Sequence, residues 1–215
     1  VLREGGVIAL PTDSCYALAC ALGDKEAVER IRQIRGVDER HHLTLMCRDL
    51  SEIAKFARVD NAQYRLLKAT TPGSYTFILE GTKELPRRIL HPKRKTIGLR
   101  VPAHAIAQLL LAELEGPLLT STLHLPGDDA PLTEGWEIQD RLDDHLELIL
   151  DGGFCGTEPT TVVDLTEMGA HVEREMALVK VAGTGDSRVE ALRLADVFRA
   201  KVVDVGKNTL TIEAT

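Results

Sequence analysis

The sequence predicts an α/β domain built on a mixed sheet, and three observations carry that reading. Short apolar runs, bounded by proline, glycine or polar turns, recur from Val7 to Leu165. Between them lie segments whose apolar residues recur at helical spacing. Some runs follow one another directly and others are separated by a helix, so both antiparallel and parallel neighbours are required. At 215 residues and 44% hydrophobic, the chain can bury one substantial core and carry an appendage.

The elements follow in order. Val7–Leu10 is a strand stopped by Pro11, and Asp24–Ile34 is a helix capped by Asp24, with Ala27, Val28, Ile31 and Ile34 on one face. Leu43–Cys47 is a strand; Asp49–Phe56 and Asn61–Ala69 are helical. Thr71-Pro72-Gly73-Ser74 turns into the strand Tyr75–Leu79. Thr96–Arg100 is a strand whose Thr96 and Arg100 alternate with Ile97 and Leu99, and Ala105–Leu114 is an apolar helix. Leu118–Thr122 is a strand. The stretch from Asp128 to Asp151 holds nine carboxylates and one arginine, which reads as a solvated helical face. Leu148–Leu150 and Thr161–Leu165 are two further strands.

Charge is unevenly placed. The net charge is −7, yet Arg87 to Arg100 contains six Lys or Arg residues, His91 and no carboxylate. An acidic chain that gathers cations in one place is suited to holding an anion there. The alternative is an edge strand guarded by lysines. Arg32, Arg35, Arg40, His41 and His42 form a second cluster where the first helix ends. They read as cations capping that helix, in preference to a second polyphosphate anchor. The overall acidity argues against broad non-specific nucleic-acid binding.

No run of 18 apolar residues and no charged-then-apolar leader is present, so a cytoplasmic protein without a membrane span is expected. Cys15, Cys20, Cys47 and Cys155 have no metal-site spacing and read as reduced, buried thiols, so no metal site is expected.

Polar residues at strand ends are mostly hydroxyls and arginines: Thr12, Ser14, Thr96, Arg100, Thr120, Ser121, Thr122, Thr160 and Thr161. Such a set suits phosphate and carboxylate groups. There is no GxSxG elbow, Walker loop, GxGxxG or HExxH. Asp13 reads as a turn-forming acid in preference to a general base, and His124 as a structural histidine. No residue is assigned as catalytic.

Four ordered motifs carry a resemblance. Gly5-Gly6-Val7-Ile8-Ala9-Leu10-Pro11-Thr12-Asp13-Ser14-Cys15-Tyr16-Ala17-Leu18 is similar to a "gG-strand-PTDTxYGL" opening, and Thr71–Thr76 to a PGPxT motif. Thr96–Pro102 matches a "T-hydrophobic-xxR-hydrophobic-P" strand, and Pro159–Asp164 is similar to "ESTVVDL". Residues 1–174 thus resemble the YrdC/YciO family of threonylcarbamoyl-AMP synthases and their relatives. The resemblance implies a twisted mixed sheet flanked by helices, with a concave basic surface. It implies the condensation of threonine, bicarbonate and ATP to threonylcarbamoyl-AMP, with Mg²⁺ carried by ATP, linked to threonylcarbamoyladenosine modification of tRNA. Ser14, Arg100, Thr120 and Thr160 would surround the amino acid, while Arg35, Thr96, Thr122 and Arg174 would face the nucleotide. Lys93, Arg94 and Lys95 would form an anion-attracting rim, open to tRNA or double-stranded RNA if the chain only binds RNA.

Two departures mark the YciO branch. Where synthases carry Lys-x-Arg and Ser-x-Asn, this chain has Arg35-Gly36-Val37 and Thr122-Leu123-His124. Residues 175–215 resemble instead a β-α-β fragment of the C-terminal domain found in the small subunit of acetolactate synthase. Its exposed edge would allow a homodimer.

Overall fold

The computed structural model describes residues 1–166, 177–182, 184–197, 201–206 and 209–214. The chain divides into two compact units, Val1–Glu167 and Met168–Thr215.

The first unit is an eight-stranded mixed sheet with helices on both faces. Its strands are β1 (Ile8–Leu10), β2 (Ala17–Ala21), β3 (Thr44–Met46), β4 (Tyr75–Glu80), β5 (Thr96–Arg100), β6 (Leu118–Thr122), β7 (Leu148–Ile149) and β8 (Thr161–Asp164). They run in the order β7-β1-β2-β6-β3-β5-β4-β8. The β1–β7, β3–β5 and β4–β8 pairs are parallel, and the others antiparallel. The helices are α1 (Lys25–Arg35), α2 (Leu50–Phe56), α3 (Asn61–Thr70), α4 (Ala105–Leu114) and α5 (Gly135–Leu142).

Local chemistry sets the helix ends. The Asp24 carboxylate accepts the Ala27 N–H at 2.9 Å, and Gly36 closes α1 in the left-handed region at φ 61°. Asp49 caps α2, and Asp60 with Gln63 forms a capping box on α3. Replacing Asp24 by Ala is expected to cost about 1 kcal/mol in a urea titration, with an unchanged slope.

Strand alternation then sorts the two faces. Leu18, Leu45, Phe77, Leu79, Ile97, Leu99 and Leu119 pack into one core with Ile31 of α1, Ile53 of α2, Leu67 of α3 and Ile138 of α5. On the opposite face, Ile8, Leu10, Ala17, Ala19, Met46 and Leu118 pack under Ala107 and Leu111 of α4. Among the described residues α4 covers this second face, with Leu2 of the N-terminal turn beside it. Farther along the same face, from β6 to β4, the strands carry mostly polar residues and glycine, namely Thr44, Thr76, Thr96, Gly98, Arg100, Thr120 and Thr122, with Ile78 of β4 among them.

Several expectations are corrected. β2 had no counterpart in the sequence reading: Ala-Leu-Ala-Cys-Ala shows no polar alternation because four of its five residues are buried between neighbours. The first strand begins at Ile8, after a 3-10 turn over Leu2–Glu4. Within the acidic stretch, α5 is eight residues long and buries Gly135, Ile138 and Leu142, so it is amphipathic and not merely solvated. The four cysteines are free and buried, as expected.

The second unit holds β9 (Ala177–Ala182), α6 (Asp186–Val197), β10 (Lys201–Val205) and β11 (Thr209–Ala214). β11 lies between the other two, antiparallel to both. The tail is therefore β-α-β-β and not the β-α-β fragment expected. The resemblance places the tail helix over Ser187–Ala200, and its last three residues lie outside the described residues.

Candidate functional site: an arginine cluster and a cleft without carboxylates

The turn after β1 is built by Thr12. Its hydroxyl donates to the Cys15 carbonyl at 2.6 Å and accepts from the backbone N–H groups of Ser14 (3.2 Å) and Cys15 (3.3 Å). That fixes Asp13 and Ser14 against the end of β5. Arg100 donates through Nη2 to Asp13 Oδ1 at 2.5 Å and through Nη1 to Ser14 Oγ at 3.3 Å. Both partners of the ion pair are nearly buried, with side chains 8% and 12% exposed. Ser74 Oγ donates to the Asp13 carbonyl at 3.0 Å and lies 3.3 Å from its Oδ2. Burial works against the charge on Arg100 and lowers its pKa; Asp13 and Cys15 oppose that effect. Asp13 is thus the counter-ion of a buried guanidinium, which corrects its reading as a simple turn acid.

Next to this cluster the sheet opens into a cleft of about 370 Å³. Its wall is formed by Arg35, His41, His42, Thr44, Thr120, Ser121, Thr122, His124, Pro131, Thr157 and Pro159. Among the described residues no carboxylate lies on that wall. Arg35 does not cap α1 as expected. It crosses to β6 and donates through Nη1 to Ser121 Oγ at 3.2 Å and to the Thr122 carbonyl. Ser121 Oγ also meets His41 Nε2 at 3.2 Å. The Nε atoms of Arg35 and Arg100 are buried and have no hydrogen-bond partner among the described residues.

A single row of residues links the two parts. Gly98 of β5 pairs with Thr44 of β3, and Thr44 pairs with Thr120 of β6. Arg100 is two residues along the same face from Gly98. A Cβ at Gly98 would sit 3.1 Å from Thr76 Cγ2 and 3.4 Å from Thr44 Oγ1, so glycine leaves the floor of this strip open. Thr76 Oγ1 and Thr160 Oγ1 are hydrogen-bonded at 2.9 Å. The loop before β8 borders both parts: a Cβ at Gly156 would sit 3.0 Å from the Ser14 carbonyl, and Thr157 and Pro159 line the cleft. Tyr16 anchors the start of that loop through a hydroxyl 2.9 Å from the Gly153 carbonyl, and burial pushes its pKa up to about 12.

The structure therefore gathers Arg35, Thr120 and Thr122 on one cleft, and Ser14 with Arg100 in the adjoining cluster. Thr160 lies at the edge through Thr76. Thr96 is buried on the same face as Arg100. The rim residues are divided. Arg94 pairs with Asp164 at 2.8 Å, and Lys95 opens onto a separate cleft with Arg58, Glu80, Lys83 and Arg87. Lys93 is exposed. Arg174 lies outside the described residues. Thr44, Thr76 and Gly98 were missed, because a threonine or glycine in a strand carries no signal until pairing puts it beside an arginine.

Residues 1–175 match the family model for Sua5, YciO and YrdC, described as telomere recombination. The chain is 54% identical to Escherichia coli YciO over 175 residues, covering 81% of this chain and 85% of that protein. The crystal structure of E. coli YciO superposes with a TM-score of 0.74, covering 81% and 84% of the two chains. Human threonylcarbamoyl-AMP synthase is 34% identical, covering 78% of this chain and 61% of that protein. Sua5 from P. abyssi in complex with L-threonine is 29% identical with a TM-score of 0.71, covering 78% and 49%. Residues 174–215 give a weaker match to the small subunit of acetolactate synthase. With the sheet order, the buried arginine and the four ordered motifs all falling inside the matched span, the chain belongs to the Sua5/YciO/YrdC family.

Proposed function

We propose that this protein binds ATP and threonine and is an L-threonylcarbamoyladenylate synthase of reduced power, serving threonylcarbamoyladenosine formation in tRNA. The observation that carries the reading is the junction of the Arg100–Asp13–Ser14 cluster with the carboxylate-free cleft on one sheet face. Relatives with that activity, or solved with L-threonine, support it. In the reaction, threonine, bicarbonate and ATP give threonylcarbamoyl-AMP, pyrophosphate and water. Arg100 and Ser14 orient the amino acid with Thr120 and Thr160. Arg35 and the hydroxyls of Thr96 and Thr122 face the nucleotide. Guanidinium charge in a partly dry site offsets the negative charge that develops as pyrophosphate leaves. Mg²⁺ enters as the ATP complex, bound through the phosphates. The hydroxyl and arginine wall suits those phosphate oxygens, and its described residues offer no carboxylate as a metal ligand.

Val37 and His124 stand where synthases hold Lys-x-Arg and Ser-x-Asn groups aimed at ATP, so turnover is expected to be low. The test is pyrophosphate release, assayed with each substrate omitted in turn. Release that needs both threonine and bicarbonate is the expected result; release with neither, or none at high enzyme concentration, rejects the synthase reading.

A second reading, non-catalytic binding of structured RNA, draws on a line of shared basic walls. Arg87 borders both the Lys95 cleft and the Arg32 cleft, and His42 borders both the Arg32 cleft and the Arg35 cleft. It predicts a salt-dependent affinity whose slope falls by about one unit for each phosphate left unneutralised when Lys93 or Lys95 is replaced by a neutral residue. An unchanged slope removes it.

A further inference from the structure

The cationic side of the Arg35 cleft is mostly histidine. Of the four nitrogenous bases on its wall, only Arg35 carries a permanent charge; the others are His41, His42 and His124, a residue type that can change charge near neutrality. We propose that His41 and His42 are anion ligands of this cleft, holding the phosphate groups of a nucleotide as imidazoliums and releasing them as neutral rings. The proposal rests on the cleft being the nucleotide site and adds how its charge is switched.

The hydrogen-bond pattern says which rings are free to change state. His124 donates through Nε2 to the Asp128 carbonyl at 2.8 Å, so its open nitrogen is Nδ1. His91 packs on His42 with ring centroids 5.1 Å apart. Its Nδ1 accepts from the backbone N–H groups of Arg94 (3.1 Å) and Lys93 (3.3 Å). His41 meets Ser121 Oγ, an oxygen with lone pairs enough to accept from both Arg35 and an imidazolium.

The surroundings keep both rings neutral without a ligand. Around His41 stand Arg32 and Arg35 of α1, His42, and Asp38 as the opposing charge. Around His42 stand Arg32 and His91, on a wall shared with Lys25, Glu29, Glu39, Arg87 and Arg88. Desolvation comes first in lowering the pKa of each; Arg35, His42 and Arg32 add to it at His41, where Asp38 opposes, and His91 and Arg32 add to it at His42. A bound polyphosphate reverses the sign of the local field and raises them again, so binding takes up protons. Affinity therefore rises as pH falls through neutrality.

Calorimetry with MgATP tests this. In two buffers of different ionisation enthalpy near pH 7, wild-type binding is expected to take up about one proton. Between pH 6 and pH 8 its affinity is expected to fall on the order of tenfold more than that of a His41→Gln, His42→Gln double variant. The titration of ATP itself is common to both proteins and cancels in that ratio. Zero proton uptake with equal pH dependence in both proteins overturns the proposal while leaving a nucleotide site in place. No binding at either pH overturns the nucleotide site as well. A circular dichroism spectrum of the double variant matching wild type shows that its loss is not one of folding.

Discussion

Replacing Arg100 by Met is expected to lower the melting temperature by roughly 10 °C and to abolish threonine binding. The two effects have separate causes, and that makes the result informative. Arg100 and Asp13 form an ion pair with side chains only 8% and 12% exposed. Removing one partner of such a pair costs about 3–5 kcal/mol, because the remaining charge stays in a poorly hydrated place. For a chain of this length each kcal/mol is worth about 2–4 °C. A second substitution, Asp13→Asn, takes away the stranded charge and is expected to return most of the lost stability. It cannot return threonine binding, since the guanidinium and its contact with Ser14 are still gone. Arg100→Lys is expected to fail too: a single ammonium cannot serve Asp13 and Ser14 at the separations that Nη2 and Nη1 span. A double variant that binds threonine normally by calorimetry would show that Arg100 is purely structural.

Much of the fold was legible, for reasons that also explain the errors. Helices announced themselves through caps: Asp24, Asp49 and Asp60 are side chains whose local hydrogen bonds do not depend on the rest of the chain. β5 showed its alternation because one of its faces carries the polar residues Thr96 and Arg100, although four of its five residues are buried. β2 did not, because an inner strand of small residues buried on both faces has no polar partner to alternate with. The site was half legible. Ser14 and Arg100 lie in recognisable motifs, but the ion pair to Asp13 spans 87 residues of sequence. The cluster at the end of α1 misled for a physical reason. Arginine near a helix C-terminus has a ready local role, and only the crossing of β6 shows that Arg35 is spent on Ser121 and Thr122 instead. The tail was read one strand short, since β11 gains its meaning by inserting between β9 and β10.

Gly98→Val is the second substitution expected to have a large effect, and it separates ligand binding from folding. Gly98 is a strand residue paired with both Thr44 and Ile78, and its φ is not among the positive values in the chain. A β-branched residue is therefore acceptable to the backbone, and valine favours strands. What it meets is space already taken on one side and needed on the other. Its Cβ would press on Thr76 Cγ2 at 3.1 Å and Thr44 Oγ1 at 3.4 Å. Its two methyl groups would stand on the face between Arg100 and Thr120, beside Ile78 of β4. The crowding is expected to cost about 1–3 kcal/mol, which a unit of this size tolerates. The methyls displace whatever lies against the strip, so affinity for both threonine and ATP is expected to fall by about 100-fold or more, equivalent to roughly 3 kcal/mol. Gly98→Ala, which adds the Cβ alone, is expected to fall between wild type and valine. If Gly98→Val melts cooperatively within about 10 °C of wild type and still binds both ligands with wild-type affinity, the strip between Arg100 and the cleft is not the place where substrate lies.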